Sequence, residues 1–106
     1  MILKKAIIVY DTETTGTHEG KKLLEIGAVC VNTSGKFVSE FQTLVWQPEE
    51  VLDHPDSQRA FEIHRIPSGD ILNKGKPEDE AIRDFADWIR SQIDKHGVES
   101  MTAFNN

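Results

Sequence analysis

Two acidic residues near the start of the chain are separated by a single residue, a pattern that can bind a metal ion. Asp11 and Glu13 follow the apolar run AIIVY of residues 6–10 and precede a Thr-Thr-Gly break. The run follows no helical period, so it predicts a β-strand, buried on both faces. Side chains two apart on a strand point to the same side, about 6.6 Å apart along the backbone. Two such carboxylates can bind one hard cation or a close metal pair, and the cost of burying an unpaired charge indicates that these acids serve a function.

The length and composition of the chain indicate one small globular domain or part of a larger one. The chain has 106 residues and a net charge of −6, which argues against broad adhesion to a polyanion but not against an enzyme whose acids hold metal ions.

Cys30 is the single cysteine, so no disulfide framework is expected. The chain shows neither a signal-peptide pattern nor an apolar run of the roughly 20 residues that span a membrane. We therefore expect a cytoplasmic protein without a membrane partner.

Two further strands should pair with the first. Residues 23–31 alternate apolar positions, with Leu24, Ile26, Ala28 and Cys30 on one face. The turn sequence NTSG separates them from a third strand over residues 36–46. Because the connections are short, the three strands are expected to form an antiparallel meander.

Helices should follow the meander. We expect a short helix over residues 53–64, one further turn capped by Ser68, and a long helix over residues 77–96 with Pro77 in its first turn and Gly97 as its C-terminal cap. The apolar stripe of the long helix comprises Ile82, Phe85, Ala86, Ile89 and Ile93. A strand over residues 98–104 should then lie parallel to the first, giving a mixed α/β sheet.

Four segments, in order along the chain, resemble the DnaQ-like, or DEDD, superfamily of 3′→5′ exonucleases. The segment DTETTG at residues 11–16 resembles its first signature, and LEIGAV at 24–29 its second strand. The segment FEIHRI at 61–66 is similar to its His-Gly-Ile segment, and TAFNN at 102–106 looks like the start of its second signature. The resemblance implies a ribonuclease H-like α/β fold, of which residues 1–106 would be the N-terminal part of a single exonuclease domain.

The same resemblance implies metal-dependent hydrolysis of phosphodiesters at nucleic-acid 3′ ends. Two divalent ions, Mg²⁺ or Mn²⁺, would act at the scissile phosphate. Asp11 and Glu13 would be catalytic metal ligands, and Glu13 would also help to place the 3′-hydroxyl. The substrate-binding residues implied near the terminal nucleotide are Thr12, Thr14, Gly16, Ile63 and His64.

The resemblance also leaves several points open. Arg65 replaces the usual Gly of the third segment, which puts the shape of that turn in question, although an arginine there could reach phosphate. The remaining metal-binding acids and the general base would lie beyond Asn106, so this fragment alone is expected to be inactive. The implied partners are a single-stranded or frayed 3′ end of DNA or RNA, and a polymerase if the domain serves as a proofreader.

Two other functions stay open on the sequence alone. One is a catalytically degenerate domain that binds a nucleic acid or a protein without cutting. The other is a phosphatase with Asp11 as its nucleophile, although Glu13 and the three consecutive strands count against that alternative. For Glu25, a solvated position at the strand edge is as good an interpretation as a supporting role beside the acidic pair.

Overall fold

The computed structural model describes residues 3–16 and 20–104. Within them the elements follow the order β-β-β-α-α-α-α-β. Their bounds are β1 Ile7–Thr14, β2 Leu23–Val31, β3 Phe37–Leu44, α1 Glu49–Leu52, α2 Pro55–His64, α3 Ser68–Lys74, α4 Glu78–His96 and β4 Ser100–Ala103.

The strands form one mixed sheet in the order β3-β2-β1-β4. β1 pairs antiparallel with β2, and β2 pairs antiparallel with β3. β4 pairs parallel with β1, on the side away from β2. The predicted meander and the parallel fourth strand are therefore both confirmed.

The main core lies between α4 and one face of this sheet. On β2 the alternating residues Leu24, Ile26, Ala28 and Cys30 are buried, as predicted. Phe85, Trp88 and Ile89 of α4 pack against the core cluster on this face, and the indole nitrogen of Trp88 donates to the Ser39 hydroxyl over 3.0 Å. Burial also raises the pKa of the Cys30 thiol, which therefore behaves as an apolar core residue.

The prediction that β1 is buried on both faces is wrong. Ile8 is fully buried under α4, but Ile7 and Val9 are half-buried and Asp11 is exposed. The reason is that, among the described residues, the opposite face of the sheet borders an open cavity of about 350 Å³, lined in part by Val9 and Val29. Asp11 therefore escapes the desolvation cost that a fully buried strand would impose.

The helices preceding α4 begin differently from the prediction. α2 begins at Pro55 because His54 is its N-cap, with Nδ1 accepting from the Asp56 N–H over 3.1 Å. The prediction that Ser68 caps the next turn is wrong. Pro67 is the N-cap of α3, no side chain forms a cap hydrogen bond there, and the helix continues to Lys74. The short α1 was not predicted, since its N-cap Pro48 likewise supplies no capping side chain.

The buried face of α4 differs from the predicted apolar stripe. Ile82 and Ile93 are 51% and 45% exposed, while Ala81 and Gln92 are buried. Pro77 is the N-cap, one residue before the helix, and Gly97 is the C-cap as expected. None of the helices that the structure describes is long and apolar enough to cross a membrane.

Candidate active site

Asp11 and Glu13 leave the same face of β1, as their spacing predicts. They occupy alternate positions of the strand, on the face opposite to the one that α4 covers. Within residues 3–16 and 20–104, neither carboxylate forms an ion pair. Burial raises the pKa of Glu13, and the charges of Asp11 and Glu25 raise it further. The pair is thus a concentration of negative charge that the described part of the chain does not neutralise.

Glu25 joins the acidic pair from the neighbouring strand. The antiparallel register places it opposite Glu13, just before a register shift in β1. Its Oε2 accepts a 2.6 Å hydrogen bond from the side-chain amide of Gln42 on β3. Sequence reasoning left the role of Glu25 open because the side chain that it faces depends on the pairing register. The glutamate is held in place beside the acids and is not a free edge residue.

A cavity of about 160 Å³ collects most of the predicted site residues at the end of β1. Glu13 lines it, together with side chains from α2 that lie some 50 positions later in the chain. The lining residues are Thr12, Glu13, Thr14, Gly16, Ala60, Ile63 and His64. Asp11 instead lines the larger cavity on the open sheet face, beside Gly27. The structure therefore brings six of the seven predicted residues around one cavity and places the seventh next to it on β1.

The turn after β1 holds its shape through threonine side chains. The Thr14 hydroxyl donates to the Gly16 carbonyl over 2.9 Å, and Gly16 has a φ of 138°, which favours glycine. Thr15 is buried, and its backbone N–H and its hydroxyl oxygen bond to the backbone of Lys22 at 2.9 Å each. Sequence reasoning missed this role of Thr15. Residues 17–19 of the predicted loop lie outside the described residues.

His64 faces the cavity in one defined tautomer. Its Nδ1 accepts the Ile66 backbone N–H over 3.0 Å, so the ring proton sits on Nε2. Nε2 is buried and has no hydrogen-bond partner among the described residues. The ring stands edge-on to Phe61 at 4.8 Å. Burial lowers the pKa of His64 against the opposing charge of Glu25, so the imidazole is neutral and offers a single N–H donor.

The second predicted signature begins beside the acidic pair. Ala103 of β4 pairs with Tyr10, and the Phe104 N–H donates to the Tyr10 carbonyl over 2.7 Å. The end of β4 therefore lies beside Tyr10, the residue that precedes Asp11 on β1. Asn105 and Asn106, the last two residues of the TAFNN segment, lie outside the described residues. In the part of the chain that is described, no three His, Cys, Asp or Glu side chains are grouped to hold a metal ion.

The sequence matches the family model described as Exonuclease (RNase_T) over residues 8–104. The chain therefore belongs to this exonuclease family, and the resemblance to DnaQ-like enzymes is confirmed. No curated protein shows significant similarity to the sequence.

Solved structures share the fold at low sequence identity. The nuclease domain of 3′hExo, a DEDDh family member bound to rAMP, has a TM-score of 0.74 at 14% identity and covers 95% of this chain and 52% of its own. A full-length 3′-exonuclease has a TM-score of 0.69 at 16% identity, with 96% and 47% covered. Exonuclease I of E. coli in complex with a dT13 oligonucleotide has a TM-score of 0.66 at 19% identity, with 97% and 21% covered. The ribonuclease H-like fold is thus confirmed, and the chain spans about half or less of these structures.

Proposed function

We propose that this chain is the N-terminal part of a metal-dependent 3′→5′ exonuclease domain. The observation that carries the proposal is the arrangement of Asp11 and Glu13: two carboxylates leave one face of β1 without an ion pair in the described part of the chain. Membership of the exonuclease family supports the reaction class. The 52% coverage of the 3′hExo nuclease domain supports the assignment to part of one domain.

The acidic pair fits a divalent cation. Burial, together with the charges of Asp11 and Glu25, raises the pKa of Glu13 and so disfavours its ionised form, and a cation would oppose that effect. Oxygen ligands of this kind suit Mg²⁺ or Mn²⁺. When bound, two such ions would supply Lewis-acid activation of the phosphodiester and of the attacking water. Asp11 and Glu13 would hold them with the further acids that the resemblance places beyond Asn106.

The remaining residues of the cavity would bind the terminal nucleotide. Thr12, Thr14 and Gly16 would present the turn after β1, whose threonine and glycine bonds keep the backbone close to the cavity. Ile63 is 83% exposed and offers an apolar surface to a base or sugar. His64 would donate its Nε2–H to an oxygen of the nucleotide, because a buried donor without a partner gains from any acceptor that reaches it.

Because the proposal makes this chain part of a domain, the form to assay is the complete protein, with the acids that the resemblance would place after Asn106. A 5′-labelled single-stranded oligonucleotide should be shortened stepwise from its 3′ end in Mg²⁺ or Mn²⁺, with release of mononucleotides. Asp11→Ala should reduce the rate by at least a hundredfold, because it removes one ligand of the proposed metal site. The 106-residue chain alone should show no hydrolysis.

Asp94→Asn is the matched control, since Asp94 is an exposed acid on α4, the helix that covers the other face of the sheet. It should leave the rate unchanged. Equal digestion by the wild-type and Asp11→Ala proteins would refute the proposal.

A binding module without hydrolysis is the second candidate. It is favoured by one observation: the described residues contain no group of three metal-ligating side chains. If the complete protein bound 3′ ends but released no nucleotide in any divalent cation, this candidate would replace the first. The phosphatase alternative requires alternating βα units, whereas the observed order begins with an antiparallel meander.

The sequence leaves the choice between DNA and RNA open, whereas a polymerase partner and a cytoplasmic location stay predictions from it. Comparing DNA and RNA oligonucleotides of one sequence in the same assay would decide the first. Co-purification of the complete protein with its host's polymerases would test the second.

A further inference from the structure

Arg65, directly after α2, adopts a backbone conformation that favours glycine. It is the C-cap of α2 with φ 59° and ψ 27°, and its N–H donates to the Phe61 carbonyl over 3.0 Å. Among the described residues it is the only one other than glycine with a positive φ. The left-handed turn at residue 65 is therefore formed even though arginine replaces the usual glycine there. Any Cβ at this position is unfavourable.

The end of α4 gives an internal comparison. Gly97 caps that helix with φ 68° and ψ 34°, and its N–H donates to the Ile93 carbonyl over 2.9 Å. The two caps have the same geometry, yet one is glycine and the other arginine. α4 also carries basic residues, Lys95 and His96, within its last turn. A cation that complements the helix dipole can therefore be placed without occupying the left-handed position, so the dipole alone does not explain Arg65.

The position of Arg65 beside the candidate active site explains why an arginine occupies this left-handed cap. It follows Ile63 and His64, which line the cavity with Glu13. Its side chain is exposed and forms no ion pair with any residue that the structure describes, whereas Arg59 on the same helix is paired with Asp56. The surroundings are acidic, since Asp11, Glu13 and Glu25 lie at the same end of the sheet. An unneutralised cation at this place offsets the repulsion that a polyanionic chain would meet there.

We propose that the Arg65 guanidinium binds a backbone phosphate of the single-stranded substrate near its 3′ end, and that the strained cap is retained for this contact. The proposal rests on the proposed function. Arginine suits the role because its planar donors match phosphate oxygens in pairs. Arg65 would act as a binding and positioning residue for the strand next to the terminal nucleotide.

The test combines binding and stability on three variants of the complete protein: Arg65→Gly, Arg65→Lys and Gly97→Arg. Affinity for a fluorescein-labelled single-stranded oligonucleotide with a free 3′-hydroxyl is measured by anisotropy at several salt concentrations in Ca²⁺, and Tm by thermal unfolding. Arg65→Gly should weaken binding roughly tenfold, lower the slope of log K against log salt by about 0.7, and raise Tm by a few degrees because the strain is relieved. Arg65→Lys should retain the salt slope and lose part of the affinity.

Gly97→Arg is the matched control. It introduces the same side chain at the same cap geometry, where an added Cβ meets nothing within 4 Å. Gly97, however, precedes β4, whose first residue pairs with Ile7 at the start of β1, whereas the acidic residues lie towards the other end of that strand. Tm should fall by a few degrees, and oligonucleotide affinity should stay unchanged.

The outcomes separate this proposal from the proposed function. If the wild-type chain binds the oligonucleotide and Arg65→Gly binds it equally with the same salt slope, the role of Arg65 is overturned and the proposed function stands. The role is likewise overturned if Arg65→Gly lowers Tm and leaves binding intact, since Arg65 would then serve only the helix end. If the folded wild-type chain binds no oligonucleotide at any salt concentration, the role of Arg65 fails together with the proposed binding surface.

Discussion

Glu13 on β1 lies opposite Glu25 on β2 in the antiparallel register. Like charges at directly opposed positions destabilise a sheet, and here burial raises the pKa of Glu13, which the charges of Asp11 and Glu25 raise further. Gln42 donates to Glu25, but no described cation pairs with Glu13. The arrangement should cost stability in the metal-free chain and would become favourable with a divalent cation bound, which gives the proposed metal site measurable consequences.

Glu13→Gln should stabilise the metal-free chain at neutral pH. The folded chain holds the Glu13 proton more tightly than the unfolded chain, whose ordinary pKa is 4.5. Folding stability therefore falls as the pH rises from this value through the raised pKa of the folded state. The variant cannot ionise, so it should lose this pH dependence and gain a few degrees in Tm at pH 7. Thermal unfolding of both proteins in EDTA between pH 4 and 8 measures the effect, and a variant less stable than the wild type at pH 7 would contradict it.

Mg²⁺ or Mn²⁺ should raise the Tm of the wild-type chain. A ligand that binds only the folded state stabilises it by about 1.4 kcal/mol at ten times its Kd. Asp11→Asn should reduce this gain strongly because it removes one of the two carboxylates on that face of β1. Calcium and zinc added at the same ionic strength serve as comparison cations, and Asp94→Asn serves as the control variant. A Tm gain that is equal in Asp11→Asn would place the cation elsewhere.

His64 should remain neutral below its ordinary pKa of 6.5. Since burial lowers the pKa in the folded state, the unfolded chain takes up the proton first, and stability falls as the pH drops below about 6.5. His64→Asn keeps an acceptor for the Ile66 N–H but cannot titrate, so its stability should vary less between pH 7.5 and 5.5. Long-range ¹H–¹⁵N spectra should show the proton on Nε2; a proton on Nδ1 would exclude the observed bond to Ile66.

Gly75→Ala should destabilise the fold by about 1–3 kcal/mol through overpacking. A Cβ at this position would lie 2.4 Å from the Ile71 carbonyl oxygen and 2.6 Å from the backbone nitrogen of Trp46. The matched control is Gly69→Ala within α3, where the nearest atom to an added Cβ is 4.0 Å away. That change should gain up to about 1 kcal/mol from helix propensity. Urea unfolding of both variants gives the comparison, and equal effects would disprove the close approach at Gly75.

Local periodicity in the amino-acid sequence was enough to predict several features of this protein. Alternation with period two placed Asp11 and Glu13 on one side of β1 and the apolar residues of β2 in the core, because successive side chains of any strand point to opposite faces. The glycine cap of α4 followed in the same way, since a left-handed C-cap favours glycine whatever the helix packs against.

What those strands and helices contact depends instead on how they pair and pack in the folded chain. The register of β1 with β2 put Glu25 opposite Glu13, and the return of α2 to the end of β1 brought His64 to the same cavity. The covering of one sheet face by α4 left Asp11 exposed on the other. These relationships join residues far apart in the chain. Strand pairing and helix docking, which no local pattern encodes, therefore determine whether two acids on one strand become part of a site.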